Sequence, residues 1–284
     1  MFFSFKLKSL VIWTAVFFVI IFCVSFGSIC VFREGKEEGA ELYILMYHHI
    51  LKDPKMHGDY VISPDEFEAD LKYLKKEGYE TVNIGDLINY TYNGEPLPEK
   101  AVMLTFDDGY LSNLEYAYPL LKKYNMKAVI SVIGKLSEDY AKTEDRHIPY
   151  AHITWDDIIK MTEEGVFEVQ NHTYNMHKSK RGERFGAKRV SGETPEAYKE
   201  EFMRDVGLCQ ELLEKNCKIT PLCFTYPFGM ISDESVEFVK EMGFLASLSC
   251  REGANYISDD TESLYLLKRY NRRHLRSAEK ILGK

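Results

Sequence analysis

Two patterns of hydrophobic residues alternate along the chain beyond position 40. Short continuous apolar runs, such as residues 42–47 and 101–106, have the length of buried β-strands and end in polar residues. Between such runs the apolar residues recur at helical spacing, as Phe67, Leu71 and Leu74 do. Strands that alternate with helices indicate βαβ units and a parallel sheet.

The number of these units favours an α/β barrel. About seven or eight of them are expected, which fit a closed barrel better than an open sheet. No glycine-rich phosphate-binding pattern follows any of the strands, which disfavours a nucleotide-binding fold. Predicted strands cover residues 42–47, 79–82, 101–106, 127–133, 166–170, 221–226, 244–248 and 264–268, and predicted helices begin near residues 64, 84, 114, 154, 195, 232 and 277.

The N-terminal segment has the composition of a membrane anchor. Lys6 and Lys8 precede residues 9–32, which carry no charge and are long enough to cross a bilayer as a helix. Positive charge before the span predicts that the body is exported. We therefore predict a cytoplasmic tail at 1–8, a single-pass anchor at 9–32, a linker at 33–40 and an extracellular catalytic domain at 41–284. A cleaved signal peptide is the alternative, although SFGS at residues 25–28 is a poor cleavage site.

Composition narrows the range of partners and cofactors. The formal net charge is −8, and an acidic protein is a poor binder of nucleic acid or anionic lipid, since both require clustered Lys and Arg. The body contains Cys209, Cys217, Cys223 and Cys250, none of them in CxxC spacing, which disfavours a zinc–thiolate site. These cysteines could form disulfides outside the cell or remain buried thiols.

Polar clusters follow three of the predicted strands. They are TFDDG at residues 105–109, NHTYNMH at 171–177 and TYPFG at 225–229. The carboxyl ends of parallel strands open onto one face of a barrel, so these segments should converge. One aspartate and two histidines can hold a divalent metal with positions left open, while a second aspartate acts as a base on water. Each cluster alone is also compatible with a turn or with hydrogen-bonded structure, and the combination is what favours chemistry.

The spacing of the two histidines restricts their local structure. His172 and His177 are five residues apart, about 140° around a helix, so a regular helix would not present both to one ion. They fit a strand end followed by a bend.

These three motifs resemble those of the polysaccharide deacetylase family, carbohydrate esterase family four. MYHHI at residues 46–50 is similar to the strand that begins the branch acting on poly-N-acetylglucosamine of biofilms. The resemblance implies a distorted (β/α) barrel with seven or eight units and one divalent ion, zinc or similar. It also implies that Asp107 is the general base, that Asp108, His172 and His177 are metal ligands, and that Tyr226 contributes a backbone N–H to the oxyanion site.

The chain departs from the family pattern at the general acid. The later Asp-Trp and Leu-x-His motifs are missing, and LLKRYN at residues 266–271 occupies the latter region. His48, His49 and His274 are the candidates for a substrate or acid role. The predicted function is removal of N-acetyl groups from an extracellular or cell-wall polysaccharide. The alternatives are an O-acetyl polysaccharide esterase and a surface carbohydrate-binding protein with weak or no turnover; a DxD-type phosphatase is disfavoured because Asp107 and Asp108 are adjacent.

Overall fold

The computed structural model describes residues 39–179 and 184–283. The anchor predicted at residues 9–32 lies outside this part of the chain. Among the helices that are described, none combines the length and the apolar character needed to cross a membrane.

The strands of the described residues are β1 (Ala40–Tyr47), β2 (His49–Ile50), β3 (Val61–Ile62), β4 (Glu80–Thr81), β5 (Ala101–Phe106), β6 (Ala128–Val132), β7 (Phe167–Asn171), β8 (Cys223–Thr225), β9 (Ala246–Leu248), β10 (Asn255–Ile257) and β11 (Tyr270–Asn271). Nine of these strands form one curled sheet in the order β10-β1-β5-β6-β7-β8-β9, with β4 beside β5 and β11 beside β1. Only β10 pairs antiparallel to its neighbour; the other pairings in this sheet are parallel. A separate short pair joins β2 to β3.

The segment that contains β11 links the last strand of the sheet back to the first. The Leu267 N–H donates to the Ser247 carbonyl of β9 at 2.8 Å, and the Arg272 N–H donates to the Met46 carbonyl of β1 at 2.9 Å. The curled sheet agrees with the predicted barrel. The strand expected at 264–268 is wrong in position, because Asp260 caps a 3-10 turn at Thr261–Leu264 and regular pairing begins only at Tyr270.

Helices begin where the sequence supplies a capping side chain. The hydroxyl of Ser63 accepts from the Glu66 N–H at 3.1 Å, and the Glu66 carboxylate accepts from the Ser63 N–H at 3.0 Å, which completes a capping box. Asn83 and Thr154 cap the next helices in the same way. The α-helices are Pro64–Lys76, Ile84–Asn93, Tyr118–Tyr124, Gly134–Tyr140, Trp155–Glu163, Pro195–Cys217, Glu234–Glu241 and Ala278–Leu282.

The central strand β5 is a continuous apolar run because both of its faces are buried. All six residues of β5 are buried, because helices cover its outer face while the curled sheet closes over its inner face. The four described cysteines, Cys209, Cys217, Cys223 and Cys250, are free thiols. The carboxyl ends of β1, β5, β7 and β8 all open onto one face, where the polar clusters lie.

Candidate active site

Four residues predicted from the sequence converge in one cavity of about 540 Å³. Asp107 and Asp108 follow β5 directly, His172 follows β7, and His177 lies in the loop beyond it. The loop after β7 bends as expected, since Thr173 adopts a positive φ of 72°. The structure therefore brings both aspartates and both histidines to the carboxyl end of the sheet.

Asp108 faces the two histidines. Its Oδ1 atom lies 3.5 Å from Nε2 of His172 and 3.2 Å from Nε2 of His177. The residue adopts a φ of 71°, a conformation that a non-glycine residue keeps only when the surrounding structure holds it there. Asp108 faces the histidines, whereas Asp107 contacts Arg269. Oδ1 is buried and makes no hydrogen bond to any described residue.

The tautomer of His172 is fixed by the neighbouring strand. Its Nδ1 lies 2.8 Å from the Thr225 carbonyl oxygen at the end of β8. Because a carbonyl only accepts, Nδ1–H must donate, which leaves the Nε2 lone pair directed at Asp108. A backbone carbonyl on the other ring nitrogen is a usual partner of a metal-binding histidine.

The electrostatics of this cluster favour a cation. Burial opposes ionisation of Asp108, but His172, His177 and His48 together hold the pKa of its carboxyl below the usual range. Burial also opposes a charge on His172, yet Asp108 and Asp107 raise the pKa of its imidazole. Burial and His172 lower the pKa of His177 to about 4. An ionised carboxylate beside two imidazole rings supplies negative charge and lone pairs, which a bound cation would satisfy.

Asp108, His172 and His177 fit a divalent metal. One donor atom from each lies within 4.8 Å of those of the other two, and the three are mostly buried. Two imidazoles and one carboxylate suit zinc and related ions. The buried Oδ1 of Asp108 has no hydrogen-bond partner among the described residues, so its lone pairs are available to bind such an ion.

Asp107 is held by Arg269, which was not among the residues predicted from the sequence. Arg269 donates from Nη1 to Oδ1 of Asp107 at 2.7 Å and from Nη2 to Oδ2 at 2.8 Å. Burial alone would raise the pKa of Asp107, but Arg269 and His172 lower it overall. Arg269 also donates from Nε to the Ser249 carbonyl at 2.7 Å, so its position depends on the segment that links β9 to β1.

The three histidines proposed for an acid or substrate role occupy different places. His48 lines the cavity, and its buried Nδ1 has no hydrogen-bond partner among the described residues. His49 also lines the cavity, but both ring nitrogens are engaged: Nδ1 with the Ser112 hydroxyl at 2.6 Å and Nε2 with the Pro149 carbonyl at 3.1 Å. His274 lines a separate surface depression instead. Burial lowers the pKa of both His48 and His49.

The prediction that Tyr226 contributes a backbone N–H to the oxyanion site is wrong. Its backbone N–H donates to the Leu248 carbonyl at 3.0 Å, because β8 and β9 pair there, so this proton is not directed at the cavity. The side chain is fully buried among aromatic neighbours, and its hydroxyl lies 3.1 Å from the Ser235 hydroxyl.

Aromatic side chains form the rim of the cavity. Tyr60, Phe185 and Phe228 line it and remain 59%, 42% and 40% exposed. Phe228 stacks on Phe185 with centroids 5.2 Å apart and contacts His177 at 4.1 Å. Inside the cavity Tyr110 stacks on His49 at 4.1 Å, and burial and Asp108 raise the pKa of its hydroxyl. The rim was not predicted from the sequence, because an apolar residue in a loop does not show by itself whether it will be exposed.

Comparison with known proteins agrees with this geometry. The family described as polysaccharide deacetylase matches residues 94–247. A Bacillus subtilis (strain 168) protein, provisionally named a polysaccharide deacetylase, is 28% identical over 233 residues, which cover 82% of this chain and 72% of that protein. The poly-beta-1,6-N-acetyl-D-glucosamine N-deacetylase of Staphylococcus aureus (strain MRSA252) is 26% identical over 197 residues, and the match covers 69% of this chain and 63% of that protein.

A solved structure with a related sequence has a similar fold. The structure of IcaB from Ammonifex degensii superposes with a TM-score of 0.66 at 26% identity, covering 82% of this chain and 92% of that one. The family match spans more than half of the chain and includes Asp107, Asp108, His172 and His177. The chain therefore belongs to the polysaccharide deacetylase family.

Proposed function

We propose that this protein is a divalent-metal-dependent hydrolase that removes N-acetyl groups from a poly-N-acetylglucosamine-type polysaccharide outside the cell membrane. The observation that carries this proposal is the convergence of two separately oriented aspartates in one cavity. Asp108 faces His172 and His177, whereas Asp107 is bound by Arg269 and is not part of that cluster. The match to a poly-N-acetylglucosamine deacetylase supports the substrate class.

The metal cluster and the base have separate roles. Bound by Asp108, His172 and His177, a divalent ion would polarise the acetamide carbonyl and acidify water. Asp107 accepts the proton of the attacking water, since Arg269 keeps it ionised and fixes both carboxylate oxygens. The guanidinium leaves the carboxylate lone pairs that face away from it available to water.

His48 is the general acid in this proposal. It lines the cavity with an unpartnered ring nitrogen, unlike His49, and it lies in the field of Asp107 and Asp108. Burial lowers the pKa of its imidazole, while Asp107 and Asp108 act to raise it. A protonated His48 would give its proton readily to the leaving amine nitrogen and would then be reprotonated by the proton that Asp107 takes from water.

The aromatic rim suits a sugar polymer. Pyranose rings present apolar C–H faces, and the exposed rings of Tyr60, Phe185 and Phe228 offer flat apolar surface beside the cluster. The cavity is open at the surface, as a chain of linked sugars requires.

The location proposed for this activity rests on the sequence. Lys6 and Lys8 followed by the uncharged residues 9–32 favour a single-pass anchor with the catalytic domain outside. Membrane fractionation with protease treatment of intact cells tests it. We expect the body to sediment with membranes and to be degraded from outside; recovery of the body in the culture medium would indicate a cleaved signal peptide.

Acetate release decides between the activities. The full-length protein in detergent is supplied with β-1,6-linked N-acetylglucosamine oligomers or with an O-acetylated polysaccharide, before and after chelation and zinc reloading. We expect acetate from the amide substrate, lost on chelation and restored by zinc. Release from the ester alone would indicate an O-acetyl esterase, and binding of oligomers without release would indicate a carbohydrate-binding protein.

A further inference from the structure

A second group of metal-binding side chains lies outside the active-site cavity. His57, Glu66 and His274 each offer one donor atom within 4.8 Å of those of the other two. They come from three segments: the turn after β2, the first turn of helix Pro64–Lys76, and the loop before the last helix. We propose that these residues form a second divalent-cation site, with zinc as the best-matched ion, that fastens the C-terminal segment to the wall of the substrate cavity.

The hydrogen bonds of His57 prepare it as a ligand. Its Nε2 lies 2.9 Å from the Leu51 carbonyl oxygen, so Nε2–H donates and the lone pair is on Nδ1. A backbone carbonyl on one ring nitrogen fixes the tautomer in which the other nitrogen binds metal. The ring centroids of His57 and His274 are 5.1 Å apart, which brings two imidazoles to one place.

Glu66 and His274 already lie within hydrogen-bond distance of each other. Nδ1 of His274 lies 2.9 Å from Oε2 of Glu66, and a metal ion would replace the proton between them. The side chains are 34% and 20% exposed for His274 and Glu66, so an ion would be partly shielded from water. The nearby positive charge of Arg272 is paired mainly with Asp70, whose Oδ2 accepts from Arg272 Nε at 2.6 Å. Oε1 of Glu66 is farther away, at 3.7 Å from Arg272 Nη1. The negative charge of Glu66 is therefore not fully offset by Arg272 and can attract a cation.

Backbone hydrogen bonds join the segments that carry the cluster. The His274 N–H donates to the Gly58 carbonyl at 2.9 Å, and the Leu275 N–H donates to Oε1 of Glu66 at 3.0 Å. Two imidazoles with one carboxylate favour zinc over calcium or magnesium, which prefer oxygen ligands.

The site adjoins the substrate cavity through the same segments. Tyr60 and Asn271 line the cavity, and Asn271 Nδ2 donates to the Asp59 carbonyl at 3.1 Å. An ion at the second site would therefore join the two segments that carry Tyr60 and Asn271, each of which contributes to the cavity lining. This site is independent of the proposed deacetylation, because it shares no ligand with the active-site cluster.

Zinc stoichiometry tests the second site. The full-length protein in detergent is dialysed against buffered Zn²⁺, and bound zinc is measured by elemental analysis. We expect two zinc ions per chain in the wild type, one in His57→Gln, one in His274→Gln, one in His177→Ala, and none in the His177→Ala, His274→Gln double variant. His147→Gln, at an exposed histidine outside both clusters, should retain two.

Other outcomes overturn the proposal. A single zinc ion in the wild type that His177→Ala removes would leave only the active-site cluster. Two zinc ions in a folded His274→Gln protein would show that the second ion lies elsewhere. If His274→Gln loses its native circular dichroism, His57→Gln decides, since that ring contacts the cluster without taking part in the Glu66 hydrogen bonds. A wild-type protein that binds two zinc ions but releases no acetate would count against the proposed function and not against this site.

Discussion

Replacement of Arg269 by methionine should destabilise the fold in a pH-dependent way. The Arg269 side chain is fully buried, and Asp107 beside it is 3% exposed, so methionine preserves most of the volume but leaves a buried carboxylate without its cation. Breaking a buried pair by removing one partner costs about 3–5 kcal/mol. We therefore expect Arg269→Met to lose about that much unfolding free energy at pH 7.

The sign of the pH dependence follows from the pKa of Asp107. In the wild type Arg269 helps to hold this pKa below its unfolded value, so the ionised carboxylate contributes stability that is lost only in strong acid. Without Arg269, burial raises the pKa of Asp107, and protonation relieves the buried charge. The deficit of Arg269→Met relative to wild type should therefore shrink as the pH falls from 7 to 5.

Urea denaturation of the chelated protein, followed by circular dichroism, measures this effect. Arg276→Met is the matched control, since Arg276 pairs with Glu252 at the surface and should lose less than about 1 kcal/mol. Combining Arg269→Met with Asp107→Asn should recover part of the loss. A deficit below about 1 kcal/mol at pH 7, or strictly additive effects of the two substitutions, would refute the argument that this pair is strongly coupled.

Three further predictions address separate parts of the site. Asp108→Asn should lose bound zinc and acetate release together, and undiminished zinc content would remove Asp108 from the ligand set. His48→Gln should retain zinc, while kcat falls by about 10²–10⁴-fold, the contribution that a positioned general acid usually makes to the rate. An unchanged kcat would show that another group is the general acid. Phe228→Ala should raise KM for long oligomers more than for the monosaccharide, since the exposed ring offers stacking surface; equal effects on both would argue against a polymer-binding rim.

Local patterns predicted the elements that position the site. The apolar run at 101–106 and the helix start near residue 64 each depend on residues close in sequence, and the structure confirms both. The ligand cluster was also predictable, because parallel strands bring their carboxyl ends to one face. The bend after β7 followed from the spacing of His172 and His177.

The missed features depend on contacts between distant segments. Arg269 reaches Asp107 only because residues 267–272 link β9 to β1, which no local pattern shows. The amide of Tyr226 was assigned to the oxyanion site, but the pairing of β8 with β9 uses its proton. His274 was a candidate acid from its residue type alone, and the loop that carries it lies against Glu66 instead.

The measurement that tests the account most directly is bound zinc and acetate release in Asp107→Asn, made side by side. The amide is isosteric with the carboxylate but cannot accept the proton of water. We expect Asp107→Asn to retain the active-site zinc of the wild type and to lose acetate release by about 10²–10⁴-fold. Loss of that zinc in Asp107→Asn would mean that the roles of Asp107 and Asp108 are reversed. Near-normal acetate release would contradict the assignment of Asp107 as the base.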